Sequence, residues 1–200
     1  MPKVSVAIPS YNASETIAAT LRSVLDSAFG DLEIVINDDA STDETLQNVR
    51  AVDDPRIRWY RNPETLGPAA NWNRAISKAS GEFIGLLNHD DLYGPFWLSF
   101  AVHALETHPT IGWAATAFRI IDEAGNVKGA ISRFEETGRV DRQTAFLQIA
   151  RLDGLGPAYL ARRQVIEAVG GYDEEIGASA DNDLFLRLAA HYPLYYSSNP

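Results

Sequence analysis

The chain has 200 residues, 46% of them hydrophobic and 22% charged, which suits one soluble globular domain with a sizeable core. Its formal net charge of −10 argues against nonspecific binding to nucleic acid or to an anionic membrane, and the absence of cysteine excludes disulfides, thiolate metal sites and a cysteine nucleophile. No apolar run approaches the roughly 20 residues that span a bilayer, and Met1-Pro2-Lys3 leads straight into a strand with no signal-peptide core, so a cytoplasmic protein without a membrane span is expected.

Strand and helix patterns alternate through the first half. Residues 3–9 read as a β-branched strand, and residues 13–26 as a helix with Ile17, Leu21, Val24 and Leu25 on one face. Asn12 with Glu15 fits a capping box at the start of that helix. Residues 32–36 form the second strand. Ser41 with Glu44 suggests a second capping box, opening a helix toward Val52. A third strand over 56–60, a helix over 67–79, a fourth strand over 83–87 and an amphipathic helix over 96–107 complete a βαβαβαβα order. That order predicts an α/β fold with a mostly parallel, doubly wound sheet.

The second half changes character. Residues 111–121 read as a strand, 122–126 as a turn and 127–131 as an antiparallel return, which adds a smaller antiparallel portion to the sheet. A helix is expected over 142–150, a break over 154–157, a short strand over 158–161, and a helix over 164–169 stopped by Gly170-Gly171. A helix over 181–191 and a strand over 194–196 follow. No repeat, low-complexity tract or linker divides the chain, so a single domain over 1–200 is expected. The end at Asn199-Pro200 brings no tidy terminal element, as in a C-terminally truncated chain.

The second and fourth strands each end in acidic residues: Asn37-Asp38-Asp39 after the second, and Asn88-His89-Asp90-Asp91 after the fourth. In open α/β sheets ligands bind beyond the carboxyl ends of the strands, and carboxylates there could meet a divalent cation carrying a phosphate. An acidic chain binds a phosphate ester more readily through such a cation. Taken alone, both clusters also read as turns ahead of helices, and His89 as a turn residue. Other chemistry is excluded by absence. There is no G-x-G-x-x-G after the first strand, no Walker A lysine, no G-x-S-x-G elbow and no histidine pair with zinc spacing. The first strand ends instead in Pro9-Ser10-Tyr11-Asn12, an aromatic ring with backbone amides that could hold a flat base.

Taken in order, Val4-Ser-Val-Ala-Ile-Pro-Ser-Tyr-Asn12, Ile36-Asn-Asp-Asp-Ala-Ser-Thr-Asp43 and Gly81-Glu-Phe-Ile with His89-Asp-Asp-Leu-Tyr-Gly-Pro95 resemble the family 2 glycosyltransferases of GT-A fold. Ala161-Arg-Arg163 with Val169-Gly-Gly-Tyr-Asp173, and Asp181-Asn-Asp-Leu-Phe-Leu-Arg-Leu188, resemble that family too, so the likeness runs from residue 3 to about 190. It implies a nucleotide-binding half over about 1–95 and an acceptor half over about 96–200. It also implies an inverting transfer from a nucleoside-diphosphate sugar, with UDP-sugar expected, to a carbohydrate or lipid-linked acceptor in polysaccharide or cell-surface glycan synthesis. Work at the cytoplasmic face of a membrane would be compatible with this role.

The resemblance also implies site roles. Pro9, Tyr11 and Asp39 would hold the nucleobase, Asp38 would support their loop, and Asn73 would contact ribose or diphosphate. Asp90, with Asn88 and more weakly Asp91, would hold Mn²⁺ or Mg²⁺, and Asp181 would be the general base. The family often has Asp at the position of Asn88 and an acid at that of Ala180, and this chain departs from it at both. Asp181 and Asp183 also suit an ordinary helix N-terminus, Trp72 reads as packed, and Arg162 and Arg163 read as surface groups that could offset a diphosphate. Two alternatives are open: a non-catalytic sugar-nucleotide binding domain, and a sugar-phosphate nucleotidyltransferase. The latter would need a Gly-rich, Lys-containing loop after the first strand, where Pro9-Ser-Tyr-Asn12 stands.

Overall fold

In the first two strands every residue is buried, as in strands covered on both faces. These are β1 (Val4–Ser10) and β2 (Leu32–Asp38) of a computed structural model that describes every residue except 153, 154, 157 and 200. They pair in parallel with β3 (Ile57–Arg61) and β4 (Phe83–Leu86). Beyond β4 the sheet continues through β9 (Tyr159–Arg162), β5 (Trp113–Thr116), β10 (Leu194–Ser197) and β8 (Gly138–Val140), in the order β3-β2-β1-β4-β9-β5-β10-β8. β9 runs antiparallel to both β4 and β5, and β8 runs antiparallel to β10. A separate hairpin joins β6 (Phe118–Ile121) to β7 (Val127–Ile131). The expected GT-A-like sheet, mostly parallel with a smaller antiparallel part, is the one observed.

Period-two alternation assigns side chains to the two faces. Val4, Val6, Ile8, Ile34 and Ile36 pack with α1 (Ile17–Leu25), α2 (Thr45–Arg50) and α4 (Trp97–Thr107). Val35, Ile84 and Leu86 face the other way, into a core shared with α3 (Pro68–Lys78), α5 (Arg142–Leu152), α6 (Arg163–Val169) and α7 (Ala180–His191). Among the described residues no helix is long and apolar enough to cross a membrane.

Several boundaries differ from expectation. β2 runs two residues further, so Asn37 and Asp38 belong to the strand. The strand expected over 111–121 is broken at Ala117, and β8 had no apolar run to announce it. Neither capping box forms: α1 starts at Ile17 and α2 at Thr45, and neither start has a side-chain cap. Asn12 and Ser41 bond each other's loops instead. Gly154 and Pro157 of the expected break, and Pro200, lie outside the described residues.

At the amino end of the sheet Glu33 of β2 ties neighbouring elements together. It accepts from Ser5 Oγ at 2.7 Å, from Ser80 N at 2.6 Å and Ser80 Oγ at 2.7 Å, and from Arg58 at 2.8 Å. Gly81 completes the knot, since a Cβ there would stand 2.6 Å from Ser5 N. Burial works to raise the Glu33 pKa, but the donors of Ser5, Arg58 and Ser80 outweigh it and hold the carboxyl at about 2. The stabilisation is complete above the ordinary carboxyl value of 4.5 and is lost as pH falls toward 2. Glu33→Gln should therefore cost about 1.5–3 kcal/mol at pH 7. Urea unfolding at pH 7 and at pH 3 should show the gap to wild type shrinking at the lower pH.

Candidate active site

The carboxyl ends of β1, β2 and β4 meet at one edge of the sheet, where the strand-end acids lie. Asp38 is fully buried. Its carboxylate accepts from Ser41 N at 3.1 Å, from Ser41 Oγ and from Ser10 Oγ at 3.5 Å, and lies 3.6 Å from Arg61 Nε. Asp39, also buried, accepts from Asn62 Nδ2 at 2.8 Å and from the backbone amides of Leu66 and Gly67, each at 2.9 Å. Three donors occupy a carboxylate with about four acceptor sites, so among the described residues one is left unfilled. The loop after β1 is pinned to the same turn: Asn12 N donates to Ser41 Oγ at 2.9 Å, and Asn12 Oδ1 accepts from Thr42 N at 2.9 Å. Asn12 and Ala40 both adopt positive φ, 47° and 62°, which brings these two loops together. Pro9 is buried in β1, while Tyr11 is 47% exposed and free to meet a ligand.

Beneath the acids lies a buried amide cluster that the sequence reading missed. Asn37 Nδ2 donates to Asn62 Oδ1 at 3.0 Å and to Asn71 Oδ1 at 2.7 Å, and Asn62 Nδ2 also donates to Asn71 Oδ1 at 3.1 Å. The cluster fastens β2, the end of β3 and the first turn of α3. Its only sequence signal is an asparagine inside a fully buried strand, where a polar side chain requires a partner.

At the end of β4, Asp90 is exposed and Asn88 and Asp91 are half-buried. Asn88 Nδ2 donates to Asp91 Oδ2 at 3.3 Å. Burial, and then the charge of Asp90, push the Asp91 carboxyl above its ordinary range, against weaker pulls from Asn88 and His89. Among the described residues no ion pair neutralises either carboxylate. Nor do three His, Asp or Glu side chains converge there as a protein-only metal cage. Two adjacent uncompensated carboxylates and one amide fit a hard cation that takes its remaining ligands from substrate phosphates and water. His89 is engaged elsewhere: its carbonyl accepts from Thr20 Oγ1 at 2.7 Å, and its Nδ1 lies 3.4 Å from Thr16 Oγ1.

Asp181 arrives from the other half of the chain, in the first turn of α7 after a 3₁₀ turn over Gly177–Ser179. It is exposed and accepts from Asn182 N at 2.7 Å. Asn88 and Asp181, 93 positions apart in sequence, line one small cavity with Trp72, Tyr159, Tyr172 and Phe185. Asp183 points elsewhere and is bound by Arg187 at 2.5 Å. Ala180 is buried in the core, which explains how an apolar side chain stands there.

Asn73 stands apart from Asp38 and Asp39. Its Oδ1 accepts from Tyr172 N and its Nδ2 donates to Tyr172 O, each at 2.9 Å, so it clamps α3 to the segment leading to Asp181. Gly171 makes room for the clamp, since a Cβ there would lie 2.8 Å from Asn73 Oδ1. Arg162 and Arg163 are not near the acids. They donate to the carbonyls of Leu105 and Ile111 and of Gly81, at the amino end of β4, where they close the chain rather than meet an anion.

Comparison with known proteins bears on the family and the fold. The family described as Glycosyl transferase family 2 matches residues 5–170. The GalNAc(5)-diNAcBac-PP-undecaprenol beta-1,3-glucosyltransferase of Campylobacter jejuni is 34% identical over 137 residues, which are 66% of this chain and 43% of that enzyme. Among solved structures, S. aureus TarS 1-349 in complex with UDP-GlcNAc superposes with a TM-score of 0.82 at 23% identity, over 99% of this chain and 56% of that one. The mannosyltransferase PcManGT of Pyrobaculum calidifontis, in complex with GDP-Man and Mn²⁺, superposes with a TM-score of 0.73 at 22% identity, over 99% of this chain and 55% of that one. The chain thus spans about half the length of these relatives.

Because Asp39 holds the entry to α3, its loss should be felt without any ligand. Asp39→Ala should lower the unfolding free energy by about 1.5–3 kcal/mol, the range for hydrogen bonds to a charged group. It should also speed amide hydrogen exchange at Leu66 and Gly67. Unchanged exchange at both amides would rule out this anchoring role.

Proposed function

The chain belongs to glycosyl transferase family 2, and on that premise we propose that it transfers a sugar, with inversion, from a UDP-sugar to an acceptor hydroxyl in the assembly of a cell-surface glycan. The observation that carries this reading is the cavity shared by Asn88 and Asp181, which sets a carboxylate across from the acidic strand end. The relatives support the substrate classes: one is named for an undecaprenol-linked substrate, and others are in complex with UDP-GlcNAc or GDP-Man. A lipid-linked acceptor would place the protein at the cytoplasmic face of a membrane.

In this reading residues 1–95 bind the nucleotide and residues 96–200 meet the acceptor. Pro9, Tyr11 and the remaining acceptor site of Asp39 hold the base, and Asp38 keeps their loop in shape. Asn73 acts at one remove, by fixing the segment that faces the sugar. Asp90, with Asn88 and Asp91, would hold Mn²⁺ or Mg²⁺, which when bound offsets the charge gathering on the diphosphate leaving group. Asp181 takes the proton of the acceptor hydroxyl as that oxygen attacks the anomeric carbon and the diphosphate departs from the opposite face. Its exposure suits a base that must meet an incoming acceptor, and the Arg187 partner of Asp183 leaves Asp181 as the available carboxylate of that helix turn.

Two substitutions separate these roles in the intact protein. Asp90→Ala should abolish the strengthening of UDP affinity by manganese while leaving metal-independent binding within about twofold, as read by calorimetry; an undiminished manganese effect would remove Asp90 from the metal site. Asp181→Asn keeps the side chain's shape but not its basicity. It should lower transfer by roughly 10²–10⁴-fold with little change in donor affinity. Near-normal transfer by the folded variant would move the base elsewhere, with Asp173 next in line.

A further inference from the structure

Tyr159 and Tyr172 are both buried, at 1% and 4% exposure, and their hydroxyls lie 3.1 Å apart. Two hydroxyls carry two protons, and the bond between them uses one. Among the described residues no other group accepts the second. Both rings line the cavity between Asn88 and Asp181. Burial raises both phenols, so at neutral pH each remains a protonated donor. The pair is also built rigidly. Trp72 meets Tyr172 edge-on at 4.8 Å, Phe185 meets Tyr159 edge-on at 5.6 Å, and the Asn73 clamp holds the Tyr172 backbone on both sides.

The cavity measures about 40 Å³. That exceeds the roughly 10–15 Å³ that one water needs. It has room for a hydroxyl or hydroxymethyl group. Its walls are aromatic and its polar groups are few and fixed, the pattern of a site that orients a ligand. For Asp181 to serve a hydroxyl attacking the anomeric carbon, the donor sugar must lie between the acidic end of β4 and Asp181, because reacting atoms stand about 3–3.5 Å apart. The cavity opens in that gap.

We infer that the Tyr159–Tyr172 hydroxyl pair donates a hydrogen bond to one hydroxyl of the sugar carried by the nucleotide, and so takes part in choosing that sugar. This rests on the glycosyltransferase reading above. A site built to hydrogen-bond a hydroxyl discriminates against ligands that leave its buried donor unpaired.

The double variant Tyr159→Phe/Tyr172→Phe tests it. Removing both partners of a buried hydrogen bond in isosteric fashion is nearly neutral for folding, so the melting temperature should hold. Calorimetry in manganese should show UDP affinity unchanged, while affinity for UDP-glucose or UDP-GlcNAc, whichever wild type binds more tightly, falls about 3–10-fold, as expected for one neutral hydrogen bond. Equal loss for UDP and the UDP-sugar, or no loss for either, would overturn the inference. So would a wild type that binds UDP-sugars no differently from UDP. A wild type that binds no uridine nucleotide at all would instead bring down the donor assignment beneath it, and this inference with it. Should the double variant not fold, ¹³Cζ tyrosine resonances of wild type give the same reading. Those of Tyr159 and Tyr172 should shift with the UDP-sugar and not with UDP, and identical responses to both ligands would count against the pair.

Discussion

The buried carboxylate of Asp39 is the constraint on which the site's geometry depends. A charge at 3% exposure is tolerable only when its oxygens are bonded, and here the donors are Asn62 and the amides of Leu66 and Gly67. Those bonds fix the start of α3. The helix carries Trp72 and Asn73, and Asn73 grips Tyr172, in the segment that runs on to Asp181. The position of a carboxylate in the second half of the chain is thus set by one at the end of the second strand, through a helix and a pair of amide bonds. Asp38 does the same for the loops on its other side, through Ser41 and Asn12.

An acidic chain sorts its carboxylates by environment. Glu33 is held ionised by Arg58 and the Ser5–Ser80 donors, Asp183 is held by Arg187, and in the exposed Asp43 desolvation works to raise the carboxyl but bonds from Thr45 and Ser14 outweigh it and pull it down to about 2. These groups hold the fold together. Asp90 and Asp91 are treated differently: they sit side by side with no cationic partner among the described residues, and burial, then the charge of Asp90, makes Asp91 harder to ionise. Two adjacent carboxylates without a cationic partner at a strand end suit the cation-holding role proposed for them. Asp181 belongs to neither group, exposed at a helix start with its charge available.

Misreadings from the sequence share one cause. Asn12 with Glu15 and Ser41 with Glu44 have capping-box spacing, but the polar side chains of residues 12 and 41 found better partners in each other's loops, and the helices began later. Arg162 and Arg163 read as surface groups that could offset a diphosphate, and backbone carbonyls at the far end of β4 took them. Trp72 is packed, as expected, and also lines the cavity, and Asn73, expected at the nucleotide, bonds the Tyr172 backbone. For Asn12, Asn73, Arg162 and Arg163 the local pattern was right about the residue's chemistry and silent about its partner, because the partner lay between 29 and 99 positions away.

The order and type of the main elements, the parallel first half and the acidic strand ends were legible in the sequence, because apolar periodicity and turn chemistry are local and survive without the fold. β8 was not, since three residues, Gly138–Val140, make a strand only when β10 lies beside them. The asparagine cluster, the clamp on Tyr172 and the tyrosine pair over the cavity were decided by tertiary structure alone. Each joins residues from separate elements, and a buried polar group shows its role only once the fold has brought it a partner.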